Sequence, residues 1–352
     1  RHMTIYAGVE GGGTTWRVAI AENHPSNIIE KKVFDTLDDA SAQLKTIREW
    51  LDTKKFDALG IATFGPIDPK VGSPTYGFIT STPKPGWQNV DVVGALSDGK
   101  VPVMFDTDVN APALAEYMWH KGKDETSCAY ITVGTGIGVG LVVNGAPVHG
   151  LLHPEAGHLS CQRMEGDNFE GTDTLFGASI EGLTATPALA ARKNCEREEL
   201  KHLADNDKMW DYCAHSLASL IVSLVLVASP ERIYLSGGVM NRKIIYPKVH
   251  DMTLKLLHGY IVHPKLTPEG IARYITPSNF DQEAGIIGAL TLAHCALNPK
   301  ESDQSAPRSI TNPIKKGSKC SEKVTLAVGI AIGTILTGLV LIVSPKMAKR
   351  KQ

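Results

Sequence analysis

The sequence has no excess of charge of either sign and no paired cysteine motif. Lysine and arginine total 36 against 37 aspartates and glutamates, which gives a formal net charge of −1, so no global positive field exists to hold nucleic acid. The six cysteines are scattered without a C-x-x-C pair, and no secretory apolar region opens the chain. We therefore expect no nucleic-acid partner and reduced thiols that face the cytosol.

The length of 352 residues favours two lobes over one hydrophobic core. Apolar runs alternating with helical spacing predict α/β lobes. Predicted strands lie at residues 4–9, 16–21, 59–63, 101–105, 128–133, 139–143 and 232–235, and predicted helices at 38–52, 207–228 and 283–297. The glycine turn between the strands at 128–133 and 139–143 repeats the opening hairpin. The predicted lobes are residues 3–117 with 282–297, and residues 118–281.

The C-terminal region has a different composition. Residues 298–323 are rich in proline, serine and lysine and lack apolar periodicity, which predicts a disordered linker. Residues 324–343 carry no charge and match the roughly 20 residues that cross a bilayer core. A buried core helix is the alternative for this run. With residues 344–352 as a basic tail, the layout predicts a transmembrane tail anchor that leaves the preceding lobes facing the cytosol.

Features of this span suggest its setting. A short span with a basic tail resembles anchors of the mitochondrial outer membrane or the peroxisome. The spacing of Gly329 and Gly333 permits close packing of two such helices and hence a homodimer, although glycines are frequent in any span.

Glycine-rich turns are the first chemical signal. Glycine lets backbone N–H groups approach phosphate oxygens without a Cβ in the way, although many hairpins are rich in glycine. One such turn follows the first predicted strand, and another lies between the strands at 128–133 and 139–143; together they are expected to bind one polyphosphate from two sides. A third turn, after a buried strand, is expected to bind an adenosine. The predicted ATP- and phosphate-binding residues are Gly11, Gly12, Gly13, Thr14, Thr15, Gly134, Thr135, Gly136, Gly138, Gly237 and Gly238.

Asp108 lies between these first two glycine turns in the sequence, at the end of a predicted strand and the start of a helix. An aspartate in this position most often caps the helix. The alternative is a carboxylate that accepts a hydroxyl proton during phosphoryl transfer. The combination with two glycine turns favours the catalytic interpretation.

Six motifs together resemble the ROK family of sugar kinases, in particular its fructokinase branch. They are E-G-G-G-T at residues 10–14, G-P at 65–66, T-P-K-P-G-W at 82–87, D-T-D-V-N at 106–110, G-T-G-I-G at 134–138 and H-P-E-A-G-H at 153–158. The resemblance covers residues 3–297. It implies a two-lobed, actin-like α/β fold of the ribonuclease H type that binds ATP with Mg²⁺ and a hexose between its lobes.

The resemblance also implies roles for individual residues. Asp108 matches the catalytic base, and Glu10 supplies a carboxylate near a possible Mg²⁺. The implied sugar-binding residues are Thr82, Lys84, Pro85, Gly86, Trp87, Asn110, Glu155, His158 and Glu181.

The sequence departs from the family in two places. Many relatives bind zinc with the histidine that corresponds to His158 and with a C-x-x-H-x-x-C run. In this sequence the three positions of that run are Asp173, Phe176 and Ser179. We predict no structural zinc, because phenylalanine cannot ligate a metal and serine seldom does; Cys161 is interpreted as a buried small residue. The loop is then expected to be held by packing of Phe169, Leu175 and Phe176. The second departure is Thr15, which stands where relatives commonly have lysine.

The favoured activity is an ATP-dependent fructokinase that converts D-fructose and ATP to fructose 6-phosphate and ADP. A mannokinase or broader hexokinase remains open, because relatives differ in the hexose they accept. A sugar-binding sensor without chemistry is the alternative from another class. A ROK-type transcriptional repressor is not expected, because the first strand at residue 4 leaves no room for a DNA-binding segment before it.

Overall fold

The computed structural model describes residues 3–120, 122 and 124–299. Two five-stranded sheets, one two-stranded sheet and nine α-helices lie in this part of the chain. The strands are β1 (Ile5–Gly11), β2 (Thr15–Glu22), β3 (Ile28–Asp35), β4 (Ala58–Thr63), β5 (Phe78–Ile79), β6 (Val90–Asp91), β7 (Val103–Thr107), β8 (Cys128–Val133), β9 (Ile137–Val143), β10 (Ala146–Pro147), β11 (Ile233–Ser236) and β12 (Ile275–Pro277). The helices are α1 (Ala40–Asp52), α2 (Val92–Leu96), α3 (Asn110–His120), α4 (Ile180–Thr184), α5 (Thr186–Lys193), α6 (Met209–Val227), α7 (Ile245–Leu257), α8 (Ile271–Tyr274) and α9 (Ala284–Leu297).

The two sheets repeat one topology. The first has the strand order β3-β2-β1-β4-β7 and the second has the order β10-β9-β8-β11-β12. In each, an antiparallel hairpin around glycines, β1–β2 or β8–β9, continues into two parallel strands. The predicted echo between the two glycine hairpins is therefore confirmed, and the α/β class with it. The predicted domain boundaries themselves stay a prediction.

Strand β3 was missed by the sequence analysis. Its central residues Glu30, Lys31 and Lys32 are exposed, and charges at this position interrupt the apolar alternation on which strand prediction depends. Because β3 lies at the sheet edge, these charges also guard it against pairing with another chain.

Helix α9 packs against the first sheet although it lies last in the described sequence. A Cβ on Gly60 of β4 would lie 1.9 Å from the carbonyl oxygen of Ala289, and one on Gly8 of β1 would lie 2.8 Å from the side chain of Leu290. The helix and the strands therefore approach at backbone distance. Because α9 is buried on nearly every side, it belongs to the core of this half.

The described residues contain one helix that is long and apolar enough to cross a membrane, α6. More than half of its most apolar window is buried within the protein, and Leu217, Leu220 and Ile221 are fully buried in the core of the second sheet. We therefore regard α6 as a core helix. The predicted linker, anchor and basic tail at residues 298–352 lie outside the described residues, except for residues 298 and 299.

Candidate active site

A cleft of about 540 Å³ lies between the glycine hairpins of the two sheets. Residues from both hairpins line it, together with residues that follow β4 and β7. Of the predicted site residues, it brings together Glu10, Gly12, Gly13, Thr14, Thr15, Asp108, Gly134, Thr135, Gly136, Gly138, Glu155 and Glu181. Further lining residues that the sequence analysis did not select include Arg17 and His153.

Each of the two glycine turns is closed by a backbone hydrogen bond and borders free space in the cleft. The Gly12 N–H donates to the Thr15 carbonyl over 2.9 Å, and the Gly134 N–H donates to the Gly136 carbonyl over 2.9 Å. A Cβ added to Gly13 or Gly134 would meet no atom within 4 Å. The space beside both turns is therefore free for a ligand with several oxygens, as the sequence predicted.

Three of the predicted phosphate-binding glycines lie elsewhere. Gly11 does not line the cleft; its missing side chain makes room for the Trp16 ring, which a Cβ would approach to 2.6 Å. Gly237, at a φ of 92°, lines an adjoining cavity of about 160 Å³. Gly238 lines a separate pocket of about 540 Å³ with Trp210 and Arg242.

Asp108 does not cap α3. The Asn110 N–H at the start of this helix donates instead to Thr107 Oγ1 over 2.9 Å. Among the described residues, the Asp108 carboxylate makes no hydrogen bond to the helix and faces the cleft. Burial, and then the Glu10 and Glu155 carboxylates, raise its pKa to about 7, because each of them disfavours the charged form.

Glu10 lies opposite Arg17 in the β1–β2 hairpin. Its Oε2 atom is buried without a hydrogen-bond partner among the described residues, and Arg17 Nη1 is 3.5 Å away. Burial raises the pKa of Glu10, against the lowering effect of the Arg17 guanidinium. A buried carboxylate oxygen without a partner fits a divalent cation.

Glu155 and Glu181 face the cleft from the second half of the chain. Glu181 Oε2 accepts from the Ile137 N–H over 2.8 Å, so the second glycine turn fixes this carboxylate. Partial desolvation and the nearby Glu181 raise the pKa of Glu155, although His153 and His158 oppose that rise. Such carboxylates can accept hydrogen bonds from neighbouring hydroxyl groups.

Asn110 was predicted to bind sugar, and this assignment is wrong for the described structure. Its side chain is 1% exposed; Nδ2 donates to Asp106 Oδ1 over 3.0 Å, and Oδ1 accepts from the Leu141 N–H over 3.2 Å. Because its polar atoms are occupied inside the protein, Asn110 joins β7 to β9 and does not reach the cleft.

The segment 82–87 also lies outside the cleft lining. Trp87 is fully buried, stacks on Trp16 with ring centroids 4.9 Å apart and donates to the Leu37 carbonyl, so its predicted sugar contact is wrong. Thr82 is buried as well, and a Cβ on Gly86 would overlap the carbonyl of Asp38. For the exposed Pro85 and half-buried Lys84, a sugar contact stays a prediction.

The positions aligned with the zinc-binding run of relatives come together around Asp173. His158 Nδ1 lies 2.7 Å from Asp173 Oδ2, which also accepts from Ser179 Oγ over 2.6 Å. Asp173 Oδ1 accepts the N–H groups of Leu175 and Phe176. Although burial opposes ionisation, these bonds lower the pKa of Asp173 to about 2.

Packing contributes less to this loop than the sequence predicted. Leu175 is 73% and Phe176 58% exposed, although the Phe176 ring tilts over His158 at 4.9 Å. Donor atoms of His158, Asp173 and Glu181 lie within 4.8 Å of one another. The two carboxylates already accept hydrogen bonds and no thiolate joins them, so this set does not fit a closed structural zinc site. Cys161 is half-buried beside the core and not fully buried.

Replacing Asp173 with alanine should destabilise the protein by about 2 kcal/mol or more, because His158, Ser179 and two backbone N–H groups lose a charged acceptor. Thermal unfolding at pH 7, with and without a strong zinc chelator, measures this. Glu170→Ala, which removes an exposed acid from the same loop, is the matched control. The wild-type melting temperature should not respond to the chelator, and a chelator-induced drop would contradict hydrogen-bond control of the loop.

Comparison with known proteins agrees with the cleft and its motifs. The ROK family model matches residues 6–296. A Bacillus subtilis (strain 168) protein is 36% identical over 295 residues, which cover 83% of this chain and 96% of that protein. A fructokinase from Lactococcus lactis subsp. cremoris is 35% identical over 296 residues, covering 83% of this chain and 98% of that enzyme.

A solved structure of a ROK family protein has a similar fold. The structure of a ROK family glucokinase from Streptomyces griseus, in complex with glucose and AMPPNP, superimposes with a TM-score of 0.65 at 18% identity and covers 83% of this chain and 99% of its own. That likeness supports the actin-like α/β architecture predicted from the motifs. With its family model and relatives spanning most of the described residues, the chain belongs to the ROK family.

Proposed function

We propose that this ATP-dependent sugar kinase is a fructokinase, which transfers the γ-phosphoryl group of ATP to the 6-hydroxyl of D-fructose. The observation that carries the proposal is Asp108, a carboxylate with no helix-capping role that lies between two open glycine turns. The relatives at 33–35% identity that are named fructokinases support fructose as the acceptor.

The proposal gives a role to each side of the cleft. Asp108, with a pKa of about 7, takes the proton of the attacking hydroxyl, since a base is most effective when its pKa lies near the working pH. Gly13 and Gly134 border open space, where backbone N–H groups of the glycine turns would balance the charge that develops on the phosphoryl oxygens. Mg²⁺ that arrives with ATP would be held near Glu10, where it neutralises phosphate charge.

Sugar recognition is proposed for Glu155, His158 and Glu181. A site that hydrogen-bonds hydroxyl groups rejects a sugar lacking them, because its own polar groups would stay unpaired. Glu181 is fixed by the Ile137 N–H and His158 by Asp173. Glu181 and His158 are therefore held in place by hydrogen bonds.

The purified protein should phosphorylate fructose with ATP at a higher kcat/KM than mannose, glucose or N-acetylmannosamine. A coupled ADP assay across this panel measures it. Asp108→Asn is the control; it should fold, be at least as stable as wild type at pH 8, and lose about 10²- to 10⁴-fold in kcat. Sugar binding without turnover in the wild type would support a sensor, and preference for another hexose would overturn the fructose assignment.

The raised pKa of Asp108 predicts the pH profile. A base acts when ionised, so kcat/KM for fructose should fall as pH drops below about 7. Glu155→Gln removes a carboxylate that raises this pKa, and should move the acidic limb to lower pH whatever its effect on the maximum. An unmoved limb would mean that another group controls the titration.

We further propose that residues 324–343 tether the cytosol-facing kinase to an intracellular membrane, either the mitochondrial outer membrane or the peroxisome. The support is the sequence alone: an uncharged run of 20 residues flanked by lysines. Pairing of two spans through Gly329 and Gly333 into a homodimer belongs to the same proposal.

Two lysines inside the span test the tether. Ile335→Lys with Leu339→Lys should abolish membrane association, because each buried lysine costs about 2.5–3.5 kcal/mol at mid-bilayer. Flotation of the full chain with liposomes, followed by detergent partitioning, provides the measurement. Ser344→Lys, at the edge of the span, should float like wild type; a wild-type chain that stays in the aqueous phase would refute the tether.

A further inference from the structure

The cleft has too much negative charge to bind a polyphosphate unaided. Five carboxylates line the cleft and the adjoining cavity of about 160 Å³. These are the side chains of Glu10, Asp108, Glu155, Glu181 and Asp281. A nucleotide triphosphate adds further negative charge, and like charges in a partly desolvated site repel strongly. Cations must offset this repulsion before ATP can bind.

Among the described residues that line these two cavities, Arg17 is the one lysine or arginine side chain. It lines both cavities, so its guanidinium lies at their junction. Strand β2 alternates its side chains, and Thr15 and Arg17 both point from it into the cleft. Arg17 thus lies on the same face of β2 as Thr15, two residues further along the strand.

The guanidinium is held in place without being saturated. Its Nη1 atom donates to the Gln282 carbonyl over 2.8 Å and lies 3.5 Å from Glu10 Oε2, which is longer than an N–H···O hydrogen bond. Arginine carries five N–H donors. Within the described residues, Nε and Nη2 make no hydrogen bond, and the side chain is 29% exposed, so donors are available to a ligand.

We propose that Arg17 is the phosphate-binding cation of this active site, which contacts the phosphates of ATP at the junction of the two cavities. The inference rests on the proposed kinase function. A planar guanidinium can engage two phosphate oxygens at once and stays charged at any working pH.

A purely structural role for Arg17, neutralising the buried Glu10, predicts different data. In that case its removal lowers the melting temperature but leaves nucleotide affinity unchanged. The phosphate role predicts a selective loss on the nucleotide side, so the measurements must separate ATP binding from sugar binding and from folding.

The test compares Arg17→Met, Arg17→Lys and the double variant Thr15→Lys/Arg17→Met with wild type. Calorimetric titration with MgAMPPNP reports nucleotide affinity, and the coupled assay gives KM for MgATP and for fructose. Arg17→Met should weaken MgAMPPNP binding about tenfold or more and raise KM for MgATP in parallel, with KM for fructose changed less than twofold. Arg17→Lys should keep part of the affinity, and Thr15→Lys should restore much of it in the double variant.

Lys31→Met is the matched control. Lys31 lies on the neighbouring strand β3 and pairs with Glu283 over 2.7 Å beside the start of α9, but it does not line either cavity. Its loss removes one positive charge from the same region and should leave MgAMPPNP affinity within twofold of wild type.

Specific outcomes overturn the inference. Wild-type MgAMPPNP affinity in Arg17→Met, with or without a lower melting temperature, would make Arg17 structural. The same conclusion follows if Thr15→Lys restores no affinity while Arg17→Lys binds like Arg17→Met. Failure of the kinase proposal looks different: wild type would turn over no sugar, yet the Arg17 variants would still rank in MgAMPPNP affinity as predicted.

Discussion

The buried connection from β7 to α3 is the constraint on which the site depends. Asp106 Oδ1 accepts from the Thr107 N–H and from Asn110 Nδ2, and its Oδ2 lies 2.9 Å from His149 Nε2. Asn110 in turn holds the N–H of Leu141 in β9. Asp108 therefore lies between two residues that hydrogen bonds hold in place and that link the two sheets. This arrangement directs its side chain toward the cleft.

The carboxylate that this connection holds in the cleft is costly to the fold. Burial and neighbouring carboxylates raise the pKa of Asp108 to about 7, above the ordinary value near 4. Because the unfolded chain gives up this proton at a lower pH than the folded protein, Asp108 lowers the free energy of unfolding. The loss grows as pH rises from about 4 to 7 and stays at its maximum above pH 7. The raised pKa that suits Asp108 to its proposed role as a base is therefore also a cost to stability.

Much of the fold could be predicted from the sequence because periodicity and glycine turns are local signals. The paired hairpins, the core strands β4 and β8, and the helices α1, α6 and α9 follow from apolar spacing. The edge strand β3 could not be predicted, since its charges face solvent. For the site, the glycine turns, Asp108 and Glu155 were found because they lie in contiguous motifs, and Glu181 was found only through the family resemblance.

The errors have a common physical origin. Asn110 and Trp87 lie in two of the family motifs, but burial assigns them to the connection and the core; burial is a tertiary property that a motif does not contain. Arg17 was missed for the opposite reason. It lies outside the glycine motif, and only the pairing of β1 with β2 places it beside Glu10. Asp173 was seen as a lost metal ligand, whereas its hydrogen bonds show it to be an organising centre of the loop.

Helix α9 has a consequence for how the protein is made. The strands of the first sheet leave the ribosome early, while the helix that covers β1 and β4 ends at Leu297. Gly8 and Gly60 leave space for a helix that is synthesised more than 220 residues after them. During synthesis the first half therefore waits with an apolar face uncovered, the kind of surface that chaperones bind, and it closes only when the second half has been made.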